Sequence, residues 1–199
     1  MSKTYHSQAD LISGFQRLDR DRAAGKRTGQ WFTRAAMTMV DQVDREARTI
    51  PAVIATENPV TIYDRASGRM MQEVLIASGG QLYDWCPLLN AHSSYSLEHT
   101  LGSVLSSRMV GNEIRANLQF AETADVEPIW SRVRDGHLRG VSIGGRRMAW
   151  TDIEPGVTTE VAGRRWTAGR MPLRITTRWI EREASIVIFG ADGGAATAM

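Results

Sequence analysis

TLGSVLSSRMV at residues 100–110 and EIRANLQF at residues 113–120, separated by Gly111-Asn112, are the stretch on which the fold turns. Each run is short, carries β-branched residues and is bounded by turn-forming ones, which predicts a pair of antiparallel strands. The same texture recurs outward in both directions: RTIPAVIAT (48–56), PVTIYD (59–64), QEVLIAS (72–78), RGVSIGGRRMAW (139–150), VTTEVAG (157–163), LRITTRWIER (173–182) and EASIVIF (183–189). One stretch breaks the pattern. In TADVEPIWSRVRDG (123–136), Val126, Ile129, Trp130 and Val133 fall at i, i+3, i+4 and i+7, and Gly136 stands where a helix would stop. N-terminal to all of this, Leu11, Phe15 and Leu18, then Trp31, Ala35, Met39 and Val43, have helical spacing on either side of the breaker-rich AAGKRTG. The expectation is a mainly β protein of the α+β kind, a closed antiparallel β-barrel surrounded by helices. Residues 1–44 would form a helical arm, residues 45–191 the barrel domain, and residues 192–199 a flexible tail or linker.

Composition narrows the class. With 199 residues, 42% of them hydrophobic, the chain can bury one proper core. No apolar run approaches the ~20 residues of a spanning helix. The start MSKTYHSQAD lacks the apolar stretch of a signal peptide, so the expectation is a reducing cytoplasm and no membrane partner. The single Cys86 excludes an intrachain disulfide and, with no second cysteine nearby, argues against a structural zinc. It reads as a small buried apolar residue rather than a thiol nucleophile. Net charge is +2, and the basic residues, all arginine but Lys3 and Lys26, are interspersed with acids, so no nucleic-acid footprint is expected.

The chemistry centres on Gly140-Val-Ser-Ile-Gly144. Gly-x-Ser-x-Gly is the nucleophile-elbow pattern of α/β-hydrolases, whose triad runs serine, acid, histidine. That order is closed to this chain, because His6, His92, His99 and His137 all precede Ser142. Lys3 and Lys26 lie in a polar N-terminal segment, which disfavours a lysine base. A serine hydroxyl needs an imidazole to take its proton, and the imidazole needs a partner on its other nitrogen. His92 follows the apolar PLLNA run at the end of an expected strand; His99 and His137 are the competing bases. Gly144 and Gly145 would let the backbone turn and aim N–H donors at an oxyanion, with Arg146 and Arg147 as support or as plain solvated strand residues. Glu183, just before ASIVIF, enters a core strand where a carboxylate needs a partner. Without such partners Ser142 is only a small residue on a tight strand, and Glu181-Arg182-Glu183 only an exposed edge.

Several blocks occur in a fixed order: LLNAHSSYSLEHTLGSV (88–104), a strand pair ending at NLQF, an amphipathic helix, DGHLRGVSIGG (135–145) and WIEREASIVIF (179–189). Over residues 45–191 this arrangement resembles the prohead proteases of tailed bacteriophages, which are similar in fold to the herpesvirus capsid-maturation proteases. The resemblance implies Ser142 as nucleophile, His92 as base and Glu183 as third member, with no cofactor and no metal. It further implies major capsid and scaffold proteins as substrates inside the assembling procapsid of the host cytoplasm. Self-association and self-cleavage are part of the same expectation, with the glycine- and alanine-rich end reading as a link to a longer precursor or as an autoprocessing site. Two other readings stay open: an inactive protease-like scaffold or assembly factor of the capsid, and a small-molecule esterase.

Overall fold

The computed structural model describes residues 31–38 and 42–188. The first expected helix, around Leu11–Leu18, and the tail 192–199 lie outside these residues. The stretch carrying Trp31 and Ala35 is not helical. It is strand β1 (Trp31–Thr38), antiparallel to the strand that carries Ser142. Helical spacing of four apolar residues is a weak preference, and cross-strand pairing overrides it: Phe32 is buried against the Trp179 ring, 5.9 Å between centroids, while Thr33 is exposed.

From Thr49 onward most strands lie within a few residues of the runs read from the sequence, and Gly80–Gln81 and Arg164–Thr167 are strands that it did not indicate. The strands are β2 (Thr49–Thr56), β3 (Val60–Asp64), β4 (Arg69–Leu75), the two-residue β5 (Gly80–Gln81) and β6 (Trp85–Asn90). Next come β7 (Thr100–Val110) and β8 (Glu113–Phe120), which pair antiparallel across Gly111-Asn112, Gly111 having φ +62°. The helix α1 (Glu127–Arg134) follows, then β9 (Gly140–Ile153), the hairpin β10 (Thr158–Val161) and β11 (Arg164–Thr167), and the long β12 (Leu173–Val187). The two runs LRITTRWIER and EASIVIF are therefore one strand.

Ten of these strands form one sheet in the order β3-β4-β12-β6-β7-β8-β2-β1-β9, with β5 beside β12 and β9 also paired to β12. The expected closed barrel surrounded by helices is not formed. The sheet is an open, curled half-barrel, and α1 is the one α-helix among the described residues. The N-terminal half of β12 pairs with β4, which carries the sheet on past the curl rather than round it. Among the described residues β1 pairs with β9 over Trp31–Met37 and meets β2 at Met37–Val53 and Thr38–Ala52. At the other end, β3 and β4 continue the sheet past β12 as a flange, with Tyr63 and Met70 exposed. β12 is itself parallel to β4, β5 and β6 and antiparallel to β9, so the sheet is mixed.

The main core fills the hollow of the curl, with Ile50, Leu88, Val104, Leu118, Ile143 and Trp179 all essentially inaccessible. Helix α1 plugs one side as its spacing predicts: Val126, Trp130 and Val133 are buried, and Trp130 packs 5.1 Å from the Phe120 ring. Pro128 in its first turn, Arg132 and Arg134 in its last, and Gly136 at φ +78° fix its ends. A smaller core under the β10–β11 hairpin gathers Val74, Ile153, Val161 and Ile175.

Candidate active site

Ser142 is the third residue of β9, a strand that is flanked on both sides here. Its cross-strand neighbours are Ala35 on β1 and Ser185 on β12. Alternation along β9 sends Val141 and Ile143 into the core and leaves Ser142 and Gly144 on the outer face of the sheet. Ser142 has no positive φ and makes no elbow turn.

The glycines around it serve a different purpose from the one the sequence suggested. Gly144 and Gly145 do not turn. They stay in the ladder opposite Glu183 and Glu181 on one side and Thr33 and Phe32 on the other. A Cβ on Gly144 would overlap the Glu183 carboxylate, and one on Gly145 would strike the Phe32 ring. Gly144 is the space in which the acid lies.

Glu183 reaches that space through a β-bulge. On β12 Glu181 pairs with Gly145 and Glu183 with Gly144, so Arg182 is the extra residue. Partners across a sheet share a face; the bulge therefore separates two carboxylates that regular alternation would place together. Glu181 points into the core and is fully buried, while Glu183 shares the outer face with Ser142.

His92 comes from the turn after β6. Ser93 N donates to Asn90 O at 2.9 Å, and both central residues are left-handed, Ala91 at φ +48° and His92 at φ +61°, as in a type I′ turn. For residues with a Cβ this backbone costs of the order of 1–3 kcal/mol each, and it persists only where the surroundings hold it. Here Ala91 N donates to Ile186 O (3.0 Å) and His92 N to Ser185 Oγ (3.0 Å).

The turn aims the imidazole between the other two groups. His92 Nδ1 lies 2.7 Å from Glu183 Oε1, and His92 Nε2 lies 2.7 Å from Ser142 Oγ. An ionised carboxylate can only accept, so the proton belongs on Nδ1, which leaves the Nε2 lone pair facing the Ser142 hydroxyl. The second Glu183 oxygen, Oε2, accepts from Ser185 Oγ at 2.7 Å. The His92 side chain keeps 25% of its surface in contact with solvent, so the site opens over the edge of the ring.

The remaining sequence candidates sit elsewhere. His99 meets Tyr95 edge to face, 4.9 Å between ring centroids, and His137 is exposed in the turn after α1. His6 lies outside the described residues. Arg147 is neither solvated nor turned to the serine: it is buried, doubly bonded to Glu73 and stacked over Phe32. Cys86 is buried beside Glu181 (Sγ to Oε1 3.6 Å), and burial pushes its thiol well above the ordinary range, so it presents no thiolate. Among the described residues no group of His, Cys, Asp and Glu is placed to hold a metal ion.

Sequence reasoning missed Ser185 and the Arg182 bulge. Period-two alternation in Glu183-Ala184-Ser185 was the signal for the first, since it puts Ser185 on the carboxylate's own face. The bulge had no signal of that kind.

No protein-family model matches the chain, and a search of the curated proteins returns no match. Among solved structures, the capsid assembly protease gp21 of bacteriophage T4 is found with a TM-score of 0.42 and 11% sequence identity, covering 80% of this chain and 99% of its own. What the site can do is set by its own geometry.

Proposed function

We propose that the chain is a serine endopeptidase that cleaves scaffold and capsid proteins during maturation of a phage procapsid, inside the assembling shell in the host cytoplasm. One observation carries the catalytic part: a single imidazole bridges Ser142 Oγ and Glu183 Oε1 at 2.7 Å on each side. The order of sequence blocks around residues 88–104, 135–145 and 179–189 supports the substrate part.

In this reading His92 Nε2 takes the Ser142 proton as Oγ attacks the peptide carbonyl carbon. Glu183 stabilises the resulting imidazolium through Nδ1–H and keeps the ring in the productive tautomer. The imidazolium then gives its proton to the departing amine, leaving an acyl-Ser142 ester. Water enters and attacks the acyl carbon as Nε2 takes its proton, and the imidazolium returns that proton to Ser142 Oγ as the ester bond breaks and the acid product leaves. All proton transfers are made by side chains of this chain.

The test is co-expression with the neighbouring capsid and scaffold proteins, comparing wild type with Ser142→Ala and His92→Ala by mass spectrometry, together with fluorophosphonate labelling of the purified chain. Discrete cleavages and labelling at Ser142, both lost in each variant, are expected. Identical fragment patterns in all three with no labelling would instead assign the chain a structural role in capsid assembly. Turnover of short esters without cleavage of either protein would assign an esterase.

A further inference from the structure

We infer that Ser185 is a positioning residue of this site, holding both the acid and the base through one hydroxyl. The inference rests on the reading of Ser142, His92 and Glu183 as a hydrolytic group. Ser185 is completely buried, directly across the ladder from Ser142, and on the same face of the sheet. Its Oγ donates to Glu183 Oε2 at 2.7 Å and accepts from the His92 backbone N–H at 3.0 Å.

A hydroxyl has one proton to give and lone pairs to receive, and both capacities are used here by groups that need them. Glu183 Oε2 is turned away from the imidazole, and a poorly exposed carboxylate oxygen without a donor is costly. Pinning Oε2 fixes the plane of the carboxylate and so the direction of Oε1 toward Nδ1. The His92 amide is the first one past the end of the β6–β12 ladder, where Ala91 N still finds Ile186 O. Ser185 extends the ladder by one side-chain bond and holds the left-handed residue that carries the base. Alanine can serve neither partner. Cysteine nearly keeps the volume but donates and accepts weakly; threonine keeps the hydroxyl and suits a strand.

The experiment compares Ser185→Ala, Ser185→Cys and Ser185→Thr with wild type by two readouts on the intact chain. One is the second-order rate of fluorophosphonate labelling at Ser142. The other is the downfield proton resonance of His92 Nδ1–H, which a merely structural role would not move. Misplacement of a catalytic group on this scale is worth about 10²-fold, so Ala and Cys should label about a hundredfold more slowly and lose the resonance. Threonine should restore both. If the alanine variant does not fold, the contrast between cysteine and threonine carries the test.

Wild-type labelling and resonance retained in Ser185→Cys would overturn the inference, as would a threonine variant as impaired as cysteine. Should wild-type Ser142 fail to label at all, the hydrolase reading falls by itself. The resonance then decides Ser185 alone: loss in cysteine with recovery in threonine upholds its hold on His92 and Glu183, and persistence in every variant refutes it.

Discussion

At residue 144 the chain has no side chain because the place a Cβ would take is filled by the carboxylate of Glu183. The displaced atoms would be the acid's own, held on one side by His92 and on the other by Ser185. Gly144→Ala must therefore push Glu183 away from Nδ1 while leaving Ser142 and His92 in place. Loss of an orienting acid in a Ser-His-acid group costs about 10⁴ in turnover, whereas one extra methyl in a packed site costs about 1–3 kcal/mol of stability. Gly144→Ala is expected to label with a fluorophosphonate at least 10³-fold more slowly than wild type, near the rate of Glu183→Gln, while still giving a cooperative melt. A labelling rate within tenfold of wild type would show that the carboxylate does not orient His92.

At the scale of the element, the site depends on how β12 counts its residues. The stretch from Glu181 to Ser185 carries one residue more than its partner on β9, and Arg182 is the surplus. Deleting Arg182 would leave Glu181 opposite Gly145 and Glu183 opposite Gly144 in regular alternation, so the carboxylate stays on Ser142's face. Deleting Ala184 with Ser185 anchored would move Glu183 opposite Ile143, onto the core face. Labelling of Ser142 should thus survive the first deletion within about tenfold and fall at least 10³-fold in the second, with circular dichroism reporting that both remain folded. Equal losses in the two folded variants would mean that the bulge does not set the face of Glu183. This counting also marks the limit of what the sequence discloses. The strand runs around residues 48–56, 100–110, 113–120 and 139–150, and the helix with Trp130 and Val133, declare themselves through local periodicity, which burial of one face enforces. Ser142, His92 and Glu183 were legible as residue types in an ordered set of blocks. The strand character of Trp31–Thr38 was not, because it is imposed by pairing with residues more than a hundred positions away, and neither was the open sheet, because the pairing of β4 with the N-terminal half of β12 is equally non-local.

For the molecule as a whole, the consequence of this arrangement is a pH dependence seated in the core. The bulge that frees Glu183 commits Glu181 to the interior, where Ser107 Oγ (2.8 Å), Tyr83 N (3.2 Å) and Cys86 Sγ (3.6 Å) face its carboxylate, with no cation among the described residues bonded to it. Burial raises its pKa to about 7, the nearby Glu183 charge adding to the rise and the three donors opposing it. An acid whose folded-state pKa lies above its unfolded value binds its proton more tightly when folded. Its contribution is therefore fully present below the unfolded value of 4.5 and is lost as pH rises through about 7. At about 1.4 kcal/mol per pKa unit the whole effect is about 3 kcal/mol. Asp64, whose lowering survives the opposing effect of burial through Ser67 and Arg174, titrates below 3.8 and stabilises in the opposite sense. Glu181→Gln isolates the group, because Ser107 can rotate from donor to acceptor and receive the amide in place of a carboxylic proton. Denaturant unfolding at pH 5 and pH 8 should show wild type losing stability across that interval. Glu181→Gln should lie within about 1 kcal/mol of wild type at pH 5 and exceed it by about 2–3 kcal/mol at pH 8. A variant that stays below wild type by the same amount at both values would mean that Glu181 is ionised throughout, held by its three donors, and that the core tolerates a lone charge beneath the site.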